Sequence, residues 1–126
     1  MKVSEVMKKA IVVDDPSITL KQAAKIMTEK GIGSLIVLRE NKAIGILTES
    51  DVVRDIDSIN KKLSELMSKN IICIDKNSII EDAARLMKQN KIKRLPVVDG
   101  ENLVGIVTAT DIIHNSNELN EDFFFD

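Results

Sequence analysis

Shifted by sixty positions, the chain reads onto itself without a gap. Ser4-Glu5-Val6-Met7 falls on Ser64-Glu65-Leu66-Met67, and Ala23-Ala24 falls on Ala83-Ala84. Gly45-Ile46-Leu47-Thr48 falls on Gly105-Ile106-Val107-Thr108, and Asp51-Val52-Val53 on Asp111-Ile112-Ile113. Seventeen positions between 2 and 51 are identical at this offset, and nine of the others exchange one aliphatic residue for another. A period of this kind dictates that both copies adopt the same supersecondary unit. The repeat divides the chain into 1–60, 61–115 and a tail over 116–126. One copy alone is about the size at which a hydrophobic core becomes marginal, so the two copies are expected to fold together.

Within one copy, Ile11-Val12-Val13 is a short β-branched run that predicts a strand, followed by the turn cluster Asp14-Asp15-Pro16-Ser17. Thr19 with Gln22 three residues on is a capping box. Leu20, Ala23, Ala24 and Met27 then recur at helical spacing, and Gly31 ends the helix. Two apolar runs, Ser34 to Leu38 and Ala43 to Leu47, flank a polar turn and predict a hairpin; a second helix begins near Thr48. The second copy repeats the order with Ile71 to Ile74, a helix through Ile80, Ala83, Ala84 and Met87, a hairpin turning at Asp99-Gly100, and a last helix from Thr108. The fold class expected is α/β (α+β), two β-α-β-β-α units packed sheet to sheet about a pseudo-twofold axis. The strands are apolar nearly throughout, so both faces of each sheet should be covered.

Composition narrows the function. With 18 basic and 20 acidic residues the net charge is −2, which argues against a phosphate-neutralising surface over the whole chain. A single Cys permits neither an internal disulfide nor a cysteine zinc site, and it fits a cytoplasmic setting. No apolar run reaches the length of a membrane span, and the start lacks the apolar stretch of a signal peptide. There is no Trp and no Tyr, and the three Phe are consecutive at 123–125. The body therefore has no aromatic side chain, and a planar ligand there would lie between aliphatic residues. Base stacking on a single strand is disfavoured for the same reason. The tail is polar and acidic up to its three Phe, which predicts either disorder or docking on a partner or a second copy.

Two segments can carry chemistry, Gly45-Ile46-Leu47-Thr48-Glu49-Ser50-Asp51 and Gly105-Ile106-Val107-Thr108-Ala109-Thr110-Asp111. Each runs from a buried strand into a helix start. The plainer reading is a helix cap, Thr accepting from the backbone and Asp favouring the positive end. The sharper reading adds a phosphate at the helix start and a ribose on the Asp. Cys73 in an apolar strand reads as buried and inert, and His114 as a helix-end residue. No nucleophile–base pair or metal cluster is visible, so an enzyme is not expected.

The pattern Gly-aliphatic-aliphatic-Thr-x-x-Asp, occurring twice at the ends of units that begin Val6-Met7 and Leu66-Met67, resembles a CBS (cystathionine-β-synthase) domain pair. Leu95-Pro96-Val97-Val98-Asp99 is similar to that family's central strand. The resemblance spans residues 1 to about 115. It implies a regulatory sensor, requiring no cofactor, that binds AMP, ADP, ATP, S-adenosylmethionine or a related adenosine compound between the motifs. It also implies a homodimer formed through helices, with Val52-Val53 and Ile112-Ile113 as candidate contacts, and allows an effector protein. One implied cleft takes Lys93, Arg94, Ile106, Thr108 and Asp111 with Val12, Ile32 and Gly33; the other takes Ser34, Ile46, Thr48 and Asp51 with Ser68, Ile72 and Ile92. The first should dominate for a charged ligand, because the fork of Arg94 suits phosphate and its counterpart is Ser34. Lys8, where the other copy has Ser68, departs from the pattern. The competing readings are an interaction module with vestigial clefts and a nucleic-acid binder using the basic run from Lys88 to Arg94.

Overall fold

The computed structural model describes residues 1–67 and 71–124; Ser68 and Phe125 lie outside the described residues. In chain order the elements are α1 (Val3–Val6), β1 (Val12–Val13), α2 (Leu20–Lys30), β2 (Ser34–Arg39), β3 (Lys42–Thr48), α3 (Glu49–Arg54) and a 3-10 turn at Ile56–Ser58. There follow α4 (Leu63–Leu66), β4 (Ile74–Asp75), α5 (Ile80–Asn90), β5 (Arg94–Asp99), β6 (Asn102–Thr108), α6 (Ala109–His114) and α7 (Glu121–Phe124). The strands form two three-stranded sheets, β1-β2-β3 and β4-β5-β6. In each, the first strand pairs in parallel with the second, which forms an antiparallel hairpin with the third. The hairpin registers correspond residue for residue at the sixty-residue offset, down to a bulge after Val37 and after Val97.

The expected helices, hairpins and turns are present. Thr19 caps α2, accepting from the Gln22 N–H at 3.1 Å while the Gln22 side chain accepts from the Thr19 N–H at 2.9 Å. Gly31 closes α2 with φ 61°, a left-handed conformation that glycine adopts without strain. The first strands are shorter than their apolar runs. Ile71 to Cys73 remain outside β4, which pairs only where β5 offers Val97 and Val98. The four-residue helices α1 and α4 are too short to leave a periodic signal.

The chain packs as two compact units, one made of Ile11–Ile71 and the other of Met1–Ala10 with Ile72–Asp126. The first helix of each repeat thus belongs to the body of the other. In the 11–71 unit, α4 is held by Leu63 N–H to Ile18 O at 2.9 Å and Ser64 N–H to Pro16 O at 3.0 Å. The other unit holds α1 through Val3 N–H to Ser78 O at 2.7 Å and Ser4 N–H to Lys76 O at 3.0 Å. Leu63 joins a core of Leu20, Ala23, Met27, Leu35, Val37 and Leu47. Val3 and Val6 join a larger core around Ile80, Ala83, Ala84, Met87, Leu95, Val107 and Ile112. Each exchange buries apolar side chains that a single repeat would leave in water.

The tail does not behave as expected. Phe123 and Phe124 dock on their own unit, against the core that contains Ala84, Ala109 and Ile112. Their rings meet edge to face at 5.2 Å, and the Lys88 ammonium lies 4.7 Å from the Phe123 ring centre. Partial burial of these two rings relieves the exposure that they would otherwise carry.

Candidate functional site

The Thr-x-x-Asp segments form two corners of the same design, one in each unit. Ser34 and Thr48 are register partners on β2 and β3; Arg94 and Thr108 are register partners on β5 and β6. Pairing therefore sets the residue at the start of the middle strand beside the Thr that ends the last one. At each Thr the chain turns into a six-residue helix, α3 or α6.

In the corner at Asp111, the Thr108 N–H donates to Asp111 Oδ2 at 2.9 Å and the Asp111 N–H donates to Thr108 Oγ1 at 3.1 Å. The other carboxylate oxygen, Oδ1, meets the Lys8 ammonium at 3.0 Å. The Asp111 side chain is only 4% exposed, whereas Lys8 is 73% exposed. Lys8 is placed by a backbone bridge to β6, donating to Ile106 O and accepting from the Ile106 N–H, both at 2.9 Å. That bridge needs the glycine before Ile106: a Cβ on Gly105 would lie 2.8 Å from Lys8 O and 2.8 Å from Met7 Sδ. Arg94 is half-buried at the same corner. A cavity of about 220 Å³ is lined by Lys93, Arg94, Thr108, Thr110, Glu121 and Phe124, among others.

In the corner at Asp51, the Thr48 N–H donates to Asp51 Oδ2 at 2.8 Å, and the Thr48 hydroxyl donates to the same oxygen at 3.0 Å. Here Oδ1 is paired with Arg54, one turn on, at 2.9 Å. Asp55 and then Asp51 hold the Arg54 guanidinium above its usual pKa. Asp51 is 23% exposed, more open than Asp111. A groove of about 420 Å³ runs along α2 and α3, lined by Ala24, Met27, Thr28, Ile32, Gly33 and Val53 among others.

Both Asp residues thus serve as caps, as the plainer reading expects, and each keeps a second oxygen occupied by a cation. Lys93, Arg94, Ile106, Thr108 and Asp111 come together in one unit; Ser34, Ile46, Thr48 and Asp51 come together in the other. Of the residues assigned to complete each cleft, Val12, Ile32 and Gly33 belong to the 11–71 unit, and Ile72 and Ile92 to the other. Ser68 lies outside the described residues. Ile112 is fully buried and serves the core, while Val53 is 73% exposed. Lys8, which the sequence marks only as a departure from Ser68, joins the corner at Asp111.

The Cys73 thiol is half-buried, and burial pushes its pKa up, away from nucleophilic use. His114 is exposed at the end of α6. Among the described residues no group of three or more His, Cys, Asp or Glu could hold a metal ion, and no helix is long and apolar enough to cross a membrane.

Comparison with solved structures finds close likenesses. The CBS domain pair of protein MJ0100, crystallised with 5′-methylthioadenosine and S-adenosyl-L-methionine, superposes with a TM-score of 0.84 at 30% identity, covering 91% of this chain and 94% of that one. A hexameric CBS-CP12 protein from bloom-forming cyanobacteria also gives 0.84 at 30% identity, over 93% of this chain and 68% of that one. Among sequences, the uncharacterized protein MJ1232 of Methanocaldococcus jannaschii is 38% identical over 90% of this chain, and the inosine-5′-monophosphate dehydrogenase of the same organism 37% identical over 89%. The chain spans only 38% and 23% of those two proteins. The CBS domain-containing protein YhcV of Bacillus subtilis is 34% identical, over 92% of this chain and 87% of its own length. The CBS domain model matches residues 3–58 and again 63–118; this chain belongs to the CBS domain family.

Proposed function

We propose that this chain is a regulatory sensor that binds an adenosine-containing small molecule at its Thr-x-x-Asp corners and transmits occupancy as a change of shape or assembly. The observation that carries the reading is the adenosine compounds bound by the MJ0100 domain pair, whose fold this chain shares. The local chemistry agrees with it. Asp111 Oδ1 is an acceptor suited to a ribose hydroxyl pair, in competition with Lys8. Ile106 supplies an aliphatic flank, and Arg94 offers a planar fork to a phosphate. Ser34, Ile46, Thr48 and Asp51 form the weaker corner. The ligand class is AMP, ADP, ATP or S-adenosylmethionine. The exposed Val53 beside an open groove supports a homodimer. A cytoplasmic setting agrees with the single half-buried thiol.

Isothermal titration of the chain with AMP, ADP, ATP, S-adenosylmethionine and 5′-methylthioadenosine tests the reading. Saturable binding by at least one is expected, and the order of affinities names the signal. No heat from any of them at millimolar concentration would replace the sensor by an interaction module with vestigial corners.

A further inference from the structure

The chain's own tail lines part of the cavity at Arg94. Glu121 and Phe124 of α7 line it together with Lys93, Arg94, Thr108 and Thr110. The sixty-residue offset supplies an internal control, since no tail follows the first repeat. Ala109 is 6% exposed and Ile113 is half-buried, while their counterparts Glu49 and Val53 are exposed, Val53 at 73%. The counterparts of Lys93 and Arg94 are Gly33 and Ser34. The basic corner and the acidic segment that reaches it therefore occur together, in one unit only.

We propose that the C-terminal tail is a competing internal anion for this corner. Docked, it sets the exposed Glu121 on the rim of a cavity that Lys93 and Arg94 also line, and Phe124, packed on the core, anchors it there. A ligand with an anionic group at this end, such as a nucleoside monophosphate, must displace that carboxylate. A neutral nucleoside need not. The docked tail thereby favours uncharged adenosine compounds over nucleotides, and phosphate binding and tail docking oppose each other. Linkage requires the antagonism to be mutual: a phosphate that unseats the tail is one whose binding the tail weakens. The inference rests on the binding reading above and specifies which ligands the corner selects.

The test compares AMP with adenosine on the full chain and on Glu121→Gln, which keeps the shape of the tail and removes its charge. Because Glu121 is exposed, the screened interaction sets the scale: AMP should bind about two- to fivefold more tightly to the variant, with adenosine unchanged. Amide exchange over residues 121–124 should accelerate when AMP saturates the wild-type chain and stay unchanged with adenosine. Binding of both ligands with no difference between wild type and Glu121→Gln, or an equal change for both, would overturn the tail proposal and leave the sensor reading intact. Unaltered tail exchange under AMP would do the same. Binding of neither ligand to either protein would overturn the sensor reading and this inference with it.

Discussion

Asp51 and Asp111 hold equivalent positions, yet each meets its cation from a different place. Arg54 reaches Asp51 from the next helical turn, whereas Lys8 reaches Asp111 from the far end of the chain. The Lys8–Asp111 pair is asymmetric in exposure, so solvent screens one side of it and its contribution to stability is about 1 kcal/mol or less. Its larger effect is on Oδ1, the oxygen that a ribose would use. Lys8→Met is expected to leave the thermal midpoint nearly unchanged and to tighten adenosine binding a few-fold, measured by calorimetry. A loss of affinity would show that the ammonium itself contacts the ligand. The Thr and Asp of both corners were legible from sequence because strand, Thr and Asp follow one another at fixed spacing. Lys8 was not, because its partner is 103 positions away and the bridge that joins them is a backbone feature.

The helices and hairpins follow from local pattern, which the repeat states twice. What pattern does not encode is the exchange of α1 and α4 between bodies, since a four-residue helix carries no periodicity of its own. Its trace lies instead in the two glycines that precede Ile46 and Ile106. A Cβ on Gly45 would meet the Met67 side chain, nearest at its flexible end, 2.8 Å from Sδ. One on Gly105 would meet the Lys8 carbonyl as well as Met7. Gly105→Ala should therefore cost about 1–3 kcal/mol by forcing the bridge apart. Gly45→Ala should cost less than about 1.5 kcal/mol, because a methionine side chain can move aside. Urea midpoints of the two variants check the order; equal losses would show that the Lys8 bridge adds nothing to the tolerance of that strand. The tail is the other element that pattern left open. Its acidic run reads as disordered, but docking of Phe123 beside Lys88 on α5 gives it a place on its own unit.

At the scale of the whole chain, the repeat makes two corners and the differences between copies make them unequal. The corner at Asp111 is the more buried, has Arg94 where the other has Ser34, and is the one the tail reaches. The near-balance of charge, −2 overall, argues against a phosphate-neutralising surface over the whole chain. In the proposed function an adenosine ligand is held at the Arg94–Thr108–Asp111 corner. The most direct measurement is titration of AMP into wild type, Asp111→Ala and Asp51→Ala, each first shown by circular dichroism to be folded. Loss of a charge-assisted bond predicts a fall of about tenfold or more for Asp111→Ala and a smaller one for Asp51→Ala. Equal losses, or a larger loss for Asp51→Ala, would contradict it.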